Sequence, residues 1–246
     1  MRVTYLKHSG FLLEWERCYW IFDYYQGQIP ALDPKKTIFV FCSHSHSDHF
    51  NPAVFRLREQ YPAVQYVFSG QVRPACRKWN RKSDMDSQIP VSEVHFLASR
   101  TEAEFSDGFG GTLKIFALRS TDCGCAFRIS YEGKTIYHAG DLHWWFWPGE
   151  SETENRQMTG NFKKEMEYLE GLTLDAAFVP LDGRLGETYG LGMRYLLEHA
   201  RVRHVFPMHF WDDFSVMDRY PEEYPVPEHT EFHKILADGQ CWELPL

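Results

Sequence analysis

The stretch Thr37-Ile38-Phe39-Val40-Phe41-Cys42-Ser43-His44-Ser45-His46-Ser47-Asp48-His49 decides how this chain is read. Its first half is a nearly continuous apolar run, the pattern of a strand buried on both faces inside a helix-covered sheet. Its second half sets three imidazoles and a carboxylate within six residues. Such groups are costly to bury without a partner, and they are the ligand types that bind borderline divalent ions. A loop at the C-terminal edge of a strand can aim several side chains into one crevice. His44 and His46 point the same way if the segment stays extended, whereas Asp48 and His49 need the turn. Asn51-Pro52 then caps and starts a helix predicted over residues 53–61.

Working outward, RVTYLKH (2–8), GFLLEWE (10–16) and CYWIFDYY (18–25) read as strands, with a turn at Gly10. VQYVFS (64–69) is the next strand, and the charged stretch 77–90 reads as a surface excursion. Residues 94–138 are β-rich, with KIFAL (114–118), CAFRIS (125–130) and KTIYH (134–138) separated by glycine-containing turns. A helix is predicted over 155–170, weakened by Gly160, and another over 188–200. DAAFVPL (175–181) is a buried-strand candidate, and HVFPM (204–208) leads into His209. Strand blocks alternating with helices indicate a layered α/β protein, expected as a single domain over 1–246.

Composition narrows the function classes. The chain has 246 residues, 43% hydrophobic and 24% charged, which is the make-up of a globular protein with a substantial core. A net charge of −8 argues against a general nucleic-acid surface, because phosphate contacts draw on Lys and Arg. No run approaches a bilayer-spanning helix and no leader pattern precedes the first strand, so no membrane association and a cytoplasmic location are expected. Six cysteines are too scattered for a disulfide framework. Cys123 and Cys125 form the one close pair; reduced thiols near a strand are the plainer reading beside a metal or redox role.

Two further clusters end strand-like runs. In Tyr137-His138-Ala139-Gly140-Asp141, Asp141 can supply an oxygen ligand, although by itself it reads equally well as a cap or surface residue. In His204-Val205-Phe206-Pro207-Met208-His209, His209 reads either as a ligand or as a core histidine.

Taken in order, HSHSDH (44–49), YHAGD (137–141) and FPMH (206–209) resemble the metallo-β-lactamase fold superfamily. Within it they are similar to the metal-dependent hydrolases that include ascorbate-6-phosphate lactonase-like proteins. The resemblance covers nearly the whole chain and implies a four-layer αββα sandwich with a metal cleft at one edge of its two sheets. Carried over residue by residue, it implies His44 and His46 on one ion, Asp48, His49 and His209 on a second, and Asp141 bridging them. It also implies a histidine between the first two motifs, where this chain has Ala117-Leu118-Arg119-Ser120-Thr121-Asp122-Cys123-Gly124-Cys125. Asp122 and Cys123 are candidate substitutes, and either would be a departure from the family pattern. Three arrangements stay open: one tight ion or a strong-plus-weak pair, two ions with Asp122 or another unusual ligand, or a site that has lost catalysis. Zinc is the first expectation for the metal, and manganese, iron or nickel suit the same donors.

A divalent ion at such a site would lower the pKa of water for attack on a carbonyl or phosphorus centre. Asp48 is expected to orient that water as well as ligate; His138, His143 or metal-bound water are candidates to donate a proton to the leaving group, and for His138 a structural hydrogen bond reads equally well. Trp144, Trp145 and Trp147, with Trp211, are candidates for a pocket wall, or alternatively for a sealed hydrophobic edge or subunit contact that would make a homo-oligomer. Arg119 and Arg184 are candidates for holding a phosphate or carboxylate. The expected substrate is a small ester, lactone or phosphodiester. The alternatives are a nuclease, and a non-catalytic metal-binding or sensory protein that kept the fold.

Overall fold

Side-chain alternation along one strand sets the architecture. The chain is described by a computed structural model that covers residues 1–83, 88 and 93–245. Six strands build most of the first sheet: β1 (Arg2–Lys7), β2 (Gly10–Glu14), β3 (Cys18–Phe22), β4 (Thr37–Cys42), β5 (Val64–Ser69) and β6 (Val94–Leu97), lying side by side in that order. Every residue of β4 is buried. Phe39 and Phe41 join a core shared with the second sheet, whereas Ile38, Val40 and Cys42 face a smaller core with Val54, Phe55, Val72 and Cys76. Both faces are therefore covered, as the unbroken apolar run requires.

The second sheet consists of β7 (Thr101–Ser106), β8 (Thr112–Arg119), β9 (Cys125–Tyr131), β10 (Lys134–His138), β11 (Thr173–Pro180), β12 (Arg201–Met208) and β13 (Glu231–Phe232), again neighbours in chain order. The last strand, β14 (Cys241–Glu243), returns to pair antiparallel with β1, so among the described residues each sheet has seven strands. Between the sheets, Phe22 stacks on Phe41 at 4.7 Å and Phe178 on Phe206 at 5.0 Å, while Phe11 meets Phe178 at 4.5 Å. Truncating such a core phenylalanine to alanine costs about 3–5 kcal/mol.

Helices cover the outer faces. The short α1 (Leu57–Gln60) and α2 (Arg73–Lys82) lie on the first sheet's side. On the second sheet's side, α3 (Glu152–Met166), α4 (Leu191–His199) and α5 (Val216–Glu223) bury Phe162, Met193 and Tyr220 in the larger core. The result is the expected αββα sandwich. No helix among the described residues is long and apolar enough to cross a membrane.

Several boundaries differ from expectation. Asn51 does cap, its side chain accepting from Ala53 N at 2.9 Å. A 3₁₀ turn over Pro52–Arg56 then leads into the four residues of α1, in place of one helix through 61. α3 begins earlier than predicted because Ser151 and Glu154 form a reciprocal capping box, and it ends at Met166. α4 starts at Leu191, after an irregular turn kinked at Gly186. The start of the expected surface excursion is α2, whose Cys76 is buried; residues 84–87 and 89–90 lie outside the described residues.

Candidate metal centre

β1, β3, β4, β8, β10, β11 and β12 all run in the sense that brings their C-terminal ends to one edge, and the polar residues just beyond those ends converge there. They are His8, Asp23, His44, Asp122, Asp141, Asp182 and His209. Two glycines let the loops approach. Gly140 has φ 50°, and a Cβ there would lie 2.6 Å from Ser43 Cβ; Gly124 has φ 72°, and a Cβ would fall 1.8 Å from Ser43 O. Any side chain at either position would push the YHAGD loop or the β8–β9 loop away from His44.

Three buried imidazoles are held in the same manner. Ser43 Oγ donates to Asp23 Oδ2 at 2.6 Å, so toward His44 Nδ1, 2.9 Å away, it can only accept. His49 Nδ1 donates to the same carboxylate oxygen, Asp23 Oδ2, at 2.8 Å. His209 Nδ1 donates to Asp182 Oδ2 at 3.1 Å. In each ring this fixes the tautomer and turns Nε2 toward one carboxylate. His44 Nε2 is 3.4 Å from Asp141 Oδ2, while His49 Nε2 and His209 Nε2 are 3.1 and 3.5 Å from Asp141 Oδ1.

Two four-residue groups each bring one ligand atom per residue within 4.8 Å of one another: His8, Asp48, His49 and His209; and His44, His46, Asp122 and Asp141. Buried His8 Nε2, His49 Nε2 and Asp141 Oδ1 make no hydrogen bond, although charged neighbours surround them. Buried polar atoms left unpaired in this way are expected where a cation belongs, and the donor set suits a divalent ion. Burial, with the His49 charge next, lowers the His44 pKa to about 4, leaving a neutral ring able to coordinate. Burial would raise Asp141, but charges on His49 and His209 outweigh it and hold the carboxyl well below its usual range.

Of the expected catalytic residues, Asp48 lines the cleft, 3.4 Å from His8 Nε2. His138 does not reach it. Its buried ring stacks on Phe22, Nε2 donates to Ser9 O at 2.9 Å, and Nδ1 accepts from Gly140 N at 3.2 Å, which leaves no proton for a leaving group. His143 is also buried, against Trp145 and Gly192, and burial lowers its pKa to about 3, so near neutrality it is not an imidazolium and cannot serve as the acid.

The cleft has a volume of about 310 Å³, and Trp145, Trp147, Met158 and Trp211 form its apolar walls. Trp144 is a correction: its ring packs against Phe162 and Tyr195 and its Nε1 donates to Thr159 Oγ1 at 2.9 Å, toward the helices. Arg119 is another. It borders a separate recess with Arg100 and Lys164 that meets the cleft only at Thr121 and Asp122. Arg184 does line the cleft, over the Trp211 ring, but Nε and one terminal nitrogen are bound to Asp182. Cys123 is in neither ligand group, Cys125 is buried, and all six cysteines are free thiols.

Sequence reasoning missed His8, Asp23 and Asp182. Each is a polar residue directly after an apolar strand, the signal that singled out Asp141 and His209. His8, Asp23 and His209 also hold positive φ (57°, 39° and 60°), a left-handed conformation uncommon outside glycine and concentrated at functional sites.

The fold and this strand-end cluster define a class, the metal-dependent hydrolases of the metallo-β-lactamase fold. A model of the beta-lactamase superfamily domain matches residues 21–182, and the chain belongs to that superfamily. A UPF0173 metal-dependent hydrolase of Pelotomaculum thermopropionicum is 27% identical over 262 residues, covering 99% of this chain and 100% of the relative. Among solved structures, a metallo hydrolase of Ignicoccus hospitalis superposes with a TM-score of 0.62 at 15% identity over 98% of each chain. The metallo-beta-lactamase fold protein YhfI of Bacillus subtilis gives 0.59 at 15% identity, over 98% of this chain and 99% of its own.

Proposed function

We propose that this enzyme hydrolyses a small ester, lactone or phosphodiester at a two-ion centre in the strand-end cleft. The observation that carries the reading is Asp141, faced by the Nε2 atoms of three imidazoles whose Nδ1 atoms are all occupied. One ion would be held by Asp48, His49, His209 and Asp141, with His8 beside them. The other would be held by His44, His46, Asp141 and Asp122, the last standing where a histidine was expected. Zinc is proposed first, and manganese, iron or nickel suit the same donors. When bound, the metal lowers the pKa of water and stabilises negative charge developing on the substrate.

The chain's own groups do the rest. Asp48 is a cleft carboxylate outside the shared bridge, with His8 Nε2 3.4 Å away. It orients the attacking water, takes its proton and returns it to the leaving group, a task His138 and His143 cannot perform. Trp145, Trp147 and Trp211 limit substrate size and exclude bulk water. Nuclease action is less well supported: among the described residues Arg184 is the one lysine or arginine lining the cleft, and Asp182 already binds it.

The test is hydrolysis of nitrophenyl esters, a lactone series, bis(nitrophenyl) phosphate and single-stranded RNA, with added Zn²⁺ or Mn²⁺. Turnover of a small substrate that falls at least a hundredfold in Asp48→Ala is expected, in line with general acid–base contributions of about 10²–10⁴. RNA cleavage alone would favour the nuclease, and metal binding without any turnover would favour a sensory role.

A further inference from the structure

A second histidine cluster lies away from the cleft. His204, near the start of β12, is five residues from His209 at its far end, roughly 16 Å along an extended strand. His204 Nδ1 is 3.0 Å from His233 Nε2 and 3.3 Å from Glu231 Oε2. We propose that His204, His233 and Glu231 form a separate structural site for a zinc-like divalent ion, which fastens the C-terminal segment to the edge of the second sheet.

The geometry fits. Two ligands about 2.0–2.1 Å from a tetrahedral zinc stand roughly 3.3 Å apart. One nitrogen from each ring and a Glu231 oxygen lie within 4.8 Å of one another. The rings are held ready: His233 stacks on Phe206 at 4.2 Å and meets the Trp242 edge at 5.9 Å, while its amide donates to Val205 O at 2.9 Å. Both histidines are largely buried, whereas Glu231 is exposed, so water can complete the coordination. Binding would displace the proton shared by the two rings, freeing both facing nitrogens as donors.

The site also has a structural purpose. β13 is two residues long and pairs with β12 through His204–Glu231 and Val205–Phe232. So short an edge strand is weakly held by its backbone bonds, and an ion bridging the same residues would anchor it.

The test is equilibrium dialysis against Zn²⁺ followed by elemental analysis, in a chain carrying Asp48→Ala and His209→Ala to weaken the cleft centre. Adding His204→Gln and His233→Gln is expected to remove one zinc per chain and to abolish a zinc-dependent rise in melting temperature. Glu231→Gln, at an exposed position that does not threaten folding, is expected to weaken that zinc by roughly tenfold or more. In the otherwise native enzyme Glu231→Gln is expected to leave hydrolysis unchanged. An unaltered zinc count and affinity in these variants would overturn the proposal.

Discussion

Asp23 Oδ2 accepts a 2.8 Å hydrogen bond from His49 Nδ1, and both side chains are wholly excluded from solvent. The same carboxylate takes the Ser43 hydroxyl at 2.6 Å, and Oδ1 takes the Ser43 amide at 2.7 Å. One residue at the end of β3 thus orients His49 directly and His44 through Ser43. Asp23→Asn replaces an acceptor with a donor at one of these bonds. Metal affinity is expected to fall about 10–100-fold, measured by competition with a chromogenic chelator. Unchanged affinity would show that Asp23 serves folding alone.

Asp122 Oδ2 lies 3.8 Å from His46 Nδ1 and is partly exposed at the cleft mouth. If it completes the first site, Asp122→Ala is expected to lower metal content by about one ion per chain, and Asp122→His to restore it with a ligand common in such sites. Elemental analysis after dialysis reads this. Two ions retained in Asp122→Ala would remove Asp122 from the ligand set.

The tryptophans separate wall from scaffold. Trp211 is exposed at the cleft and carries Arg184 over its ring, so Trp211→Ala is expected to raise KM several-fold with little loss of kcat. Trp144 packs on α3 and α4 instead, so Trp144→Ala is expected to destabilise the fold by about 2–3 kcal/mol while leaving KM unchanged. Steady-state kinetics beside urea unfolding distinguish the two.

Acid stability has a source away from the cleft. Burial pushes the Asp107 carboxyl up, but bonds from the Tyr131 hydroxyl at 2.7 Å and from the Phe109 and Gly111 amides at 2.7 and 2.8 Å outweigh it, and its pKa lies below the ordinary 3.8. A carboxyl depressed on folding stabilises the protein fully above its unfolded value and loses that contribution as pH falls through the folded one. Asp107→Asn is expected to cost about 1–3 kcal/mol at neutral pH. The gap to the native chain should stay constant down to about pH 5 and close in more acid solution. A gap that widened in acid would contradict this assignment.

Much of this was legible in the order of residues. The unbroken apolar run of β4 required two covered faces, and the crowding of His44, His46, Asp48 and His49 at its end required a cation or a heavy desolvation cost. Those are local properties, fixed by side-chain chemistry and the period of a strand. His138 and His143 read as catalytic because they flank Asp141 in the chain, yet β10 ends at His138 and the irregular loop after it leaves both rings buried away from the cleft. In the same loop Trp145 lines the cleft while Trp144 packs against Phe162 and Tyr195.

Strand period and ligand chemistry act within a few residues, so the class of fold and the first cluster of candidate ligands follow from residue order alone. Which distant groups meet depends on how the strands pack. Asp23 is 26 residues from His49 and Asp182 is 27 from His209, and each pair is joined because parallel strands end at one edge. His204 and His233 come together in the same way, through the pairing of β12 with β13.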